Sequence, residues 1–135
     1  MGVIFDSSEI IALERDRGAV ESLVTGREDE PFGISVVTVA ELLHGVERAD
    51  TETRKIRRQA FVEKIIEMIP VIPFDIGVAR IYARIWASLM QRGFMAGAHD
   101  LIIASTAISL DYTVITANRR DFENIEGLRL EVRQV

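Results

Sequence analysis

Apolar runs alternate with helical stripes along the chain. Val3-Ile4-Phe5 is a continuous apolar run that reads as a buried strand, and it stops on Asp6, followed by two serines able to cap a helix. With Ser7 or Ser8 as cap, that helix is predicted to reach about Arg17, turning Ile10, Ile11 and Leu13 inward, and Gly18 breaks it. A short helix over Ala19 to Val24 and a polar loop from Arg27 to Pro31 follow, and Gly33 to Val37 reads as a second buried strand. Thr38 stands where it would cap the next helix, which ends near Arg48. A longer helix spans about Thr53 to Met68, with Phe61, Ile65 and Met68 on one face, and Val71-Ile72 between two prolines reads as a short third strand. Asp75 caps a predicted helix whose Val78, Tyr82, Ile85, Trp86 and Leu89 form an inward stripe, ended by Gly93. Residues 99 to 110 read as another helix, Thr113 to Ile115 as a fourth strand, and the alternating Leu128 to Val132 as a strand at a sheet edge.

Strands alternating with helices predict α/β architecture. The expectation is three layers, α/β/α, with a mostly parallel sheet of four to five strands, helices on both faces and right-handed crossovers. A chain of 135 residues, 48% hydrophobic, suits one domain over residues 1–135. The absence of cysteine excludes disulfides, thiol catalysis and thiolate metal sites, so any metal must sit on oxygen or imidazole. No basic leader precedes an apolar stretch, and no run approaches the ~18 apolar residues of a membrane span. A soluble, cytoplasmic protein without a membrane partner is expected.

With 21 acids against 16 bases the net charge is −5, which does not advertise a nucleic-acid binder. The bases are distributed unevenly, however. Fourteen are Arg, clustered at Arg54-Lys55-Ile56-Arg57-Arg58 and paired at Arg119-Arg120; such runs read first as solvated helix faces and second as phosphate contacts.

In a parallel sheet, ligands gather at the carboxyl ends of the strands. Asp6 ends the first strand there, and Glu41 falls in the first turn of the helix after the second. Asp100 opens the helix that feeds the fourth strand, and Asp121 follows that strand's end. Each acid also has a purely structural reading. Asp6 can be a turn or cap residue, Asp100 and Asp121 can favour helix starts electrostatically, and Thr38-Val39-Ala40-Glu41 spells a capping box. Their coincidence favours a site, because four caps need not share an edge. Crowded carboxylates raise each other's pKa unless cations neutralise them, and an all-oxygen set suits Mg²⁺ or Mn²⁺. The chemistry that follows is metal-assisted phosphodiester hydrolysis. On this reading, removing the Asp6 charge relieves repulsion in the metal-free protein.

Four stretches resemble the PIN-domain ribonucleases, in particular the VapC-type toxins of VapBC toxin-antitoxin pairs. They are Phe5-Asp6-Ser7-Ser8, Thr38-Val39-Ala40-Glu41-Leu42 with Gly45, His99-Asp100-Leu101-Ile102-Ile103-Ala104, and Thr116-Ala117-Asn118-Arg119-Arg120-Asp121-Phe122. The resemblance covers nearly the whole chain and implies a PIN-like fold and Mg²⁺-dependent endoribonuclease activity on RNA. It further implies inhibition by a cognate antitoxin, and a homodimer. It maps an acidic quartet onto Asp6, Glu41, Asp100 and Asp121, with Asp6 and Asp100 as direct ligands, Thr116 or Asn118 assisting and Ser7 in support.

One joint is open: the helix from Asp75 to Arg92 carries the chain away from the acidic edge. Either the loop Gly93 to Ala98 brings it back, reaching at most ~25 Å, or the helix crosses the sheet obliquely. Serine hydrolysis through Ser7 or Ser8 with His44 or His99 lacks a nucleophile elbow, and neither nucleotide-binding glycine motif is present. The remaining rival is a PIN-like binding or assembly module without turnover.

Overall fold

The computed structural model describes residues 1–134. Five strands, β1 (Val3–Phe5), β2 (Phe32–Ser35), β3 (Val71–Ile72), β4 (Thr113–Thr116) and β5 (Arg129–Val132), form one sheet in the order β3-β2-β1-β4-β5. Every pairing is parallel, with Val3 opposite both Phe32 and Thr113 and with Val114 opposite Leu130. Helices α1 (Ser7–Arg15), α2 (Val36–Glu47), α3 (Glu52–Met68), α4 (Ile76–Gln91) and α5 (Ala98–Leu110) supply the outer layers, with 3₁₀ segments at Val20–Val24 and Arg119–Asp121. The three-layer α/β/α fold and the edge position of β5 match the expectation. No described helix is long and apolar enough to cross a membrane.

Side-chain alternation on β1 divides the core in two. Val3 and Phe5 point to a cluster with Ile10 and Leu13 of α1, Val39, Leu42 and Val46 of α2, and Val62 and Ile65 of α3. Ile4 points the other way, to Leu89 of α4, Leu101, Ile103, Ala104 and Ala107 of α5, and Phe122. The central strand is thus buried on both faces, as a continuous apolar run requires. Gly33 on β2 permits close strand approach, since a Cβ there would stand 2.7 Å from Ile72 Cδ1 and 3.0 Å from the Pro70 carbonyl.

Several boundaries differ from the pattern reading. Helix α2 starts at Val36, not after Thr38, and its cap is Ser35, whose Oγ accepts from Val37 N at 3.1 Å. The run Val36-Val37-Thr38-Val39 has strand-like residues, yet it places Val39, Leu42 and Val46 on one buried helical face, and that packing overrides propensity. Helix α1 is capped by Asp6 rather than by either serine. Ile11 and Trp86, both expected inward, are exposed, and so is Met68 on the stripe it shares with Phe61 and Ile65. The α4 stripe is wider than the contact surface. Val78 and Leu89 are buried, whereas Trp86 leans edge-on against Tyr82 from outside, ring centroids 5.9 Å apart.

Helix α4 runs from the Asp75 cap after β3 to Arg92, whose Nη2 donates to the Asn124 carbonyl at 2.8 Å in the segment that joins β4 to β5. Gly93, at φ 80°, closes the helix, and a short loop then suffices to start α5 at the acidic edge. Because β1 feeds β2 and β3 on one side while β4 and β5 lie on the other, the crevice between the ends of β1 and β4 is the topological switch point of the sheet.

Candidate active site

Asp6 stands at that switch point and is 2% exposed. Its amide donates to the Ile115 carbonyl of β4 at 2.9 Å, and its carboxylate is held by three donors. Oδ1 accepts from Ser7 N at 2.8 Å, while Oδ2 accepts from Ser8 Oγ at 3.0 Å and from Thr116 Oγ1 at 2.7 Å. The two hydroxyls in turn accept from the next loop: Ala117 N donates to Ser8 Oγ at 3.1 Å, and Asn118 N donates to Thr116 Oγ1 at 3.0 Å. Asp6 is therefore a helix cap and a member of the acidic group together. These donors oppose the repulsion between Asp6 and the other acids that the sequence reading takes to govern the metal-free protein. Ser7 Oγ reaches Oδ1 only at 3.5 Å, and Asn118 enters the network through its backbone, its side chain facing solvent.

Glu41 lies in the second turn of α2, beyond reach of the cap at Ser35, so the capping-box reading is excluded. Its Oε1 is buried with no hydrogen-bond partner, and Oε2 lies 3.8 Å from His99 Nδ1. Burial pushes the Glu41 carboxyl up, with His99 pulling against it and the Asp6 charge adding to it. Asp100, third residue of α5, is pushed up to about 7, first by burial and then by the charges of Asp121, Asp6 and Glu41. Its neighbour Gly97 leaves room for the carboxylate, since a Cβ there would meet Asp100 Oδ2 at 3.2 Å. Asp121 sits exposed in the 3₁₀ segment after β4.

All four predicted acids therefore border one crevice and act on one another electrostatically. They do not close into a cage: among the described residues, no three His, Asp or Glu side chains are gathered tightly enough to enclose a metal ion. An open set of oxygens with one buried, unpartnered carboxylate atom fits Mg²⁺, which keeps several of its waters and takes only one or two protein carboxylates.

Two contributors escaped the sequence reading. Ser8 bridges α1 to the loop after β4. Glu9, 5% exposed, receives Arg133 Nε on both carboxylate oxygens at 2.8 and 2.9 Å, and the Arg133 amide donates to the Thr116 carbonyl at 2.7 Å. This pair ties the chain beyond β5 to the strand that carries Thr116. Nearby, Thr38 Oγ1 is buried with no partner. Thr38→Val, which removes that hydroxyl at equal volume, should raise stability by about 1 kcal/mol, read from the urea midpoint at unchanged m.

The PIN domain family profile matches residues 3–128. The chain is 38% identical over 130 residues to "Ribonuclease VapC1" of Rickettsia felis, covering 96% of this chain and 95% of that one. It is 36% identical over 98 residues, 73% of this chain and 72% of the other, to a "tRNA(fMet)-specific endonuclease VapC" of Salmonella typhimurium. Among solved structures, a DNA-bound VapBC complex from Salmonella typhimurium contains a chain that superposes with TM-score 0.87 at 28% identity, over 98% of each chain.

Proposed function

The chain belongs to the PIN-domain family, among close relatives of the VapC toxins, and from that premise we propose that it is a Mg²⁺-dependent endoribonuclease, the toxin of a type II toxin-antitoxin pair acting on RNA in the cytoplasm. The observation that carries this reading is the convergence of four carboxylates on the β1/β4 crevice, one of them with a buried oxygen that no protein donor satisfies. Asp6 and Asp100 would hold the ion, with Glu41 and Asp121 completing the set and orienting a water. Thr116 and Ser8 fix the Asp6 carboxylate so that it does not rotate away. When bound, the cation supplies charge neutralisation at the scissile phosphate and a more acidic water. Purified protein should cleave total RNA with Mg²⁺ or Mn²⁺ and stop in excess EDTA; undiminished cleavage in EDTA would refute the reading.

Glu41→Gln tests one member of the set without disturbing the fold. Because Oε1 has no donor to lose, the variant should melt at or above the metal-free parent while losing cleavage at least tenfold. Equal activity would return Glu41 to a structural role.

The partner follows from the same charges. A cleft of about 540 Å³, lined by Ser7, Ile11, Glu41, His44 and His99 among others, opens beside Glu41 and would receive an antitoxin segment that places an Arg or Lys against the acids. Exposed Ile76, Trp86, Met90 and Met95, on α4 and the loop after it, suit a homodimer contact.

A further inference from the structure

We propose that a second cleft, walled by arginines from α1 and α3, anchors the phosphates of the RNA strand a few nucleotides from the bond that is cut; this rests on the nuclease reading above. The cleft has a volume of about 650 Å³, with Arg15 and Arg17 from the end of α1 on one wall and Arg54, Arg57 and Arg58 from α3 on the other. Leu13 and Phe61 also line it, and Glu14 is the one acid among its lining residues. In a chain of net charge −5 this is a strong local reversal. The Arg54–Arg58 run is thus not merely a solvated face, because the fold sets two further arginines opposite it.

The donors are available. Arg15 and Arg54 are paired only with exposed Asp16 and Asp50, at 3.0 and 2.9 Å, contacts that solvent makes easy to exchange. Arg58 Nη1 is held by the Gly45 carbonyl at 2.9 Å, which fixes its guanidinium at the mouth. Among the described residues, Arg17 and Arg57 have neither an ion pair nor a side-chain hydrogen bond. Arg17 also occupies a conformation that disfavours it. Its φ is 52°, at the position after the α1 cap where glycine is preferred, and Gly18 follows one residue later with its amide bonded to the Leu13 carbonyl.

The cleft adjoins the one that Glu41 lines. Glu14 and Arg58 line both it and the cleft that contains Glu41 and His99. From Ser7 to Arg15 the wall is α1 itself, about 12 Å at 1.5 Å per residue, so one strand can lie along it. Planar guanidinium forks spread over two walls match a row of phosphates, and they offset the repulsion that an acidic protein exerts on a polyanion.

The test measures binding of a fluorescein-labelled 12-nucleotide oligouridylate in EDTA, where cleavage is off, as a function of salt. Arg17→Gly and Arg57→Gln should each weaken binding roughly 3- to 10-fold at low salt and flatten the log–log salt slope by about 0.7, while Arg80→Gln, exposed on α4, leaves both unchanged. Arg17→Gly should also melt higher than the parent, so its loss of binding is not a loss of fold. With Mg²⁺ present, both variants should raise KM for the 12-mer at unchanged kcat, and leave a dinucleotide substrate, too short to reach the cleft, unaffected. If the parent cuts RNA and both variants bind and cut it equally well, the anchor is wrong and the nuclease reading stands. If the parent neither binds nor cuts RNA, the nuclease reading itself has failed. Variants that keep RNA affinity but lose the antitoxin would assign the cleft to an acidic partner segment and overturn the proposal.

Discussion

Asp100→Asn should reduce RNA cleavage roughly a thousandfold, beyond the 10- to 100-fold cost of residues that only orient ligands, and yet raise the melting temperature of the metal-free protein above pH 7. The sign follows from the carboxyl's folded pKa of about 7 against an ordinary value of 3.8. A carboxyl raised in the fold favours the folded state in its protonated form. Its contribution is complete below about pH 3.8 and is lost as pH rises through 7. Above that, the ionised group opposes folding, held back by burial and by the charges of Asp121, Asp6 and Glu41. Solvent screens much of the shift on a half-buried group, so the expected gain in the variant is on the order of 1–2 kcal/mol, or a few degrees in Tm. Saturating Mg²⁺ should erase the difference. The parent gains RT ln(1 + [L]/Kd) and the variant gains little. Melting curves at pH 5, 7 and 9 in EDTA decide it: identical pH profiles for parent and variant would remove Asp100 from the crowded set.

What the sequence made legible was whatever repeats with a local period or sits beside a strand end. Val3-Ile4-Phe5 and Thr113-Val114-Ile115 announced buried strands because a central parallel strand must be apolar on both faces. Asp6, Glu41, Asp100 and Asp121 could be placed on one edge because strand direction alone determines which end each acid follows. The parts that stayed hidden depend on contacts between distant residues. Ser8 and Ala117 are 109 positions apart, and Glu9 and Arg133 are 124 apart. Nothing near either serine distinguishes the one that bridges from the one that does not, until β1 pairs with β4. Trp86 misled for a different reason. An apolar stripe on a helix marks what avoids water, and α4 has apolar residues both for the core and for a surface left open. The α2 start was misread because four β-branched residues in a row extend a strand pattern into a helix whose cap, Ser35, sits inside that pattern.

Asp6→Asn is the same chemical change as Asp100→Asn, and it should have the opposite effect on the metal-free fold. Asn can keep the cap, its Oδ1 accepting from Ser7 N as Asp6 does. The second oxygen is the difference. In the parent, Oδ2 accepts from both Ser8 Oγ and Thr116 Oγ1, and those hydroxyls already accept from Ala117 N and Asn118 N. An Nδ2H₂ group in that place is a donor facing two hydroxyls whose protons have lost their acceptor, in a spot where Asp6 is 2% exposed. Hydrogen bonds to a charged group contribute about 1.5–3 kcal/mol each, and partial rearrangement of the hydroxyls recovers some of it. The expected loss is about 2 kcal/mol, which lowers Tm by roughly 5 °C or more, with cleavage and the Mg²⁺-induced shift both lost. Thr116→Val should reproduce much of the destabilisation while retaining part of the Mg²⁺ shift, because it removes one donor to Asp6 and leaves the carboxylate in place. In EDTA at pH 8, then, Asp6→Asn melts below the parent and Asp100→Asn above it. If both variants move upward together, repulsion rather than the Ser8 and Thr116 network governs Asp6; if both move downward, burial and the neighbouring charges do not govern Asp100.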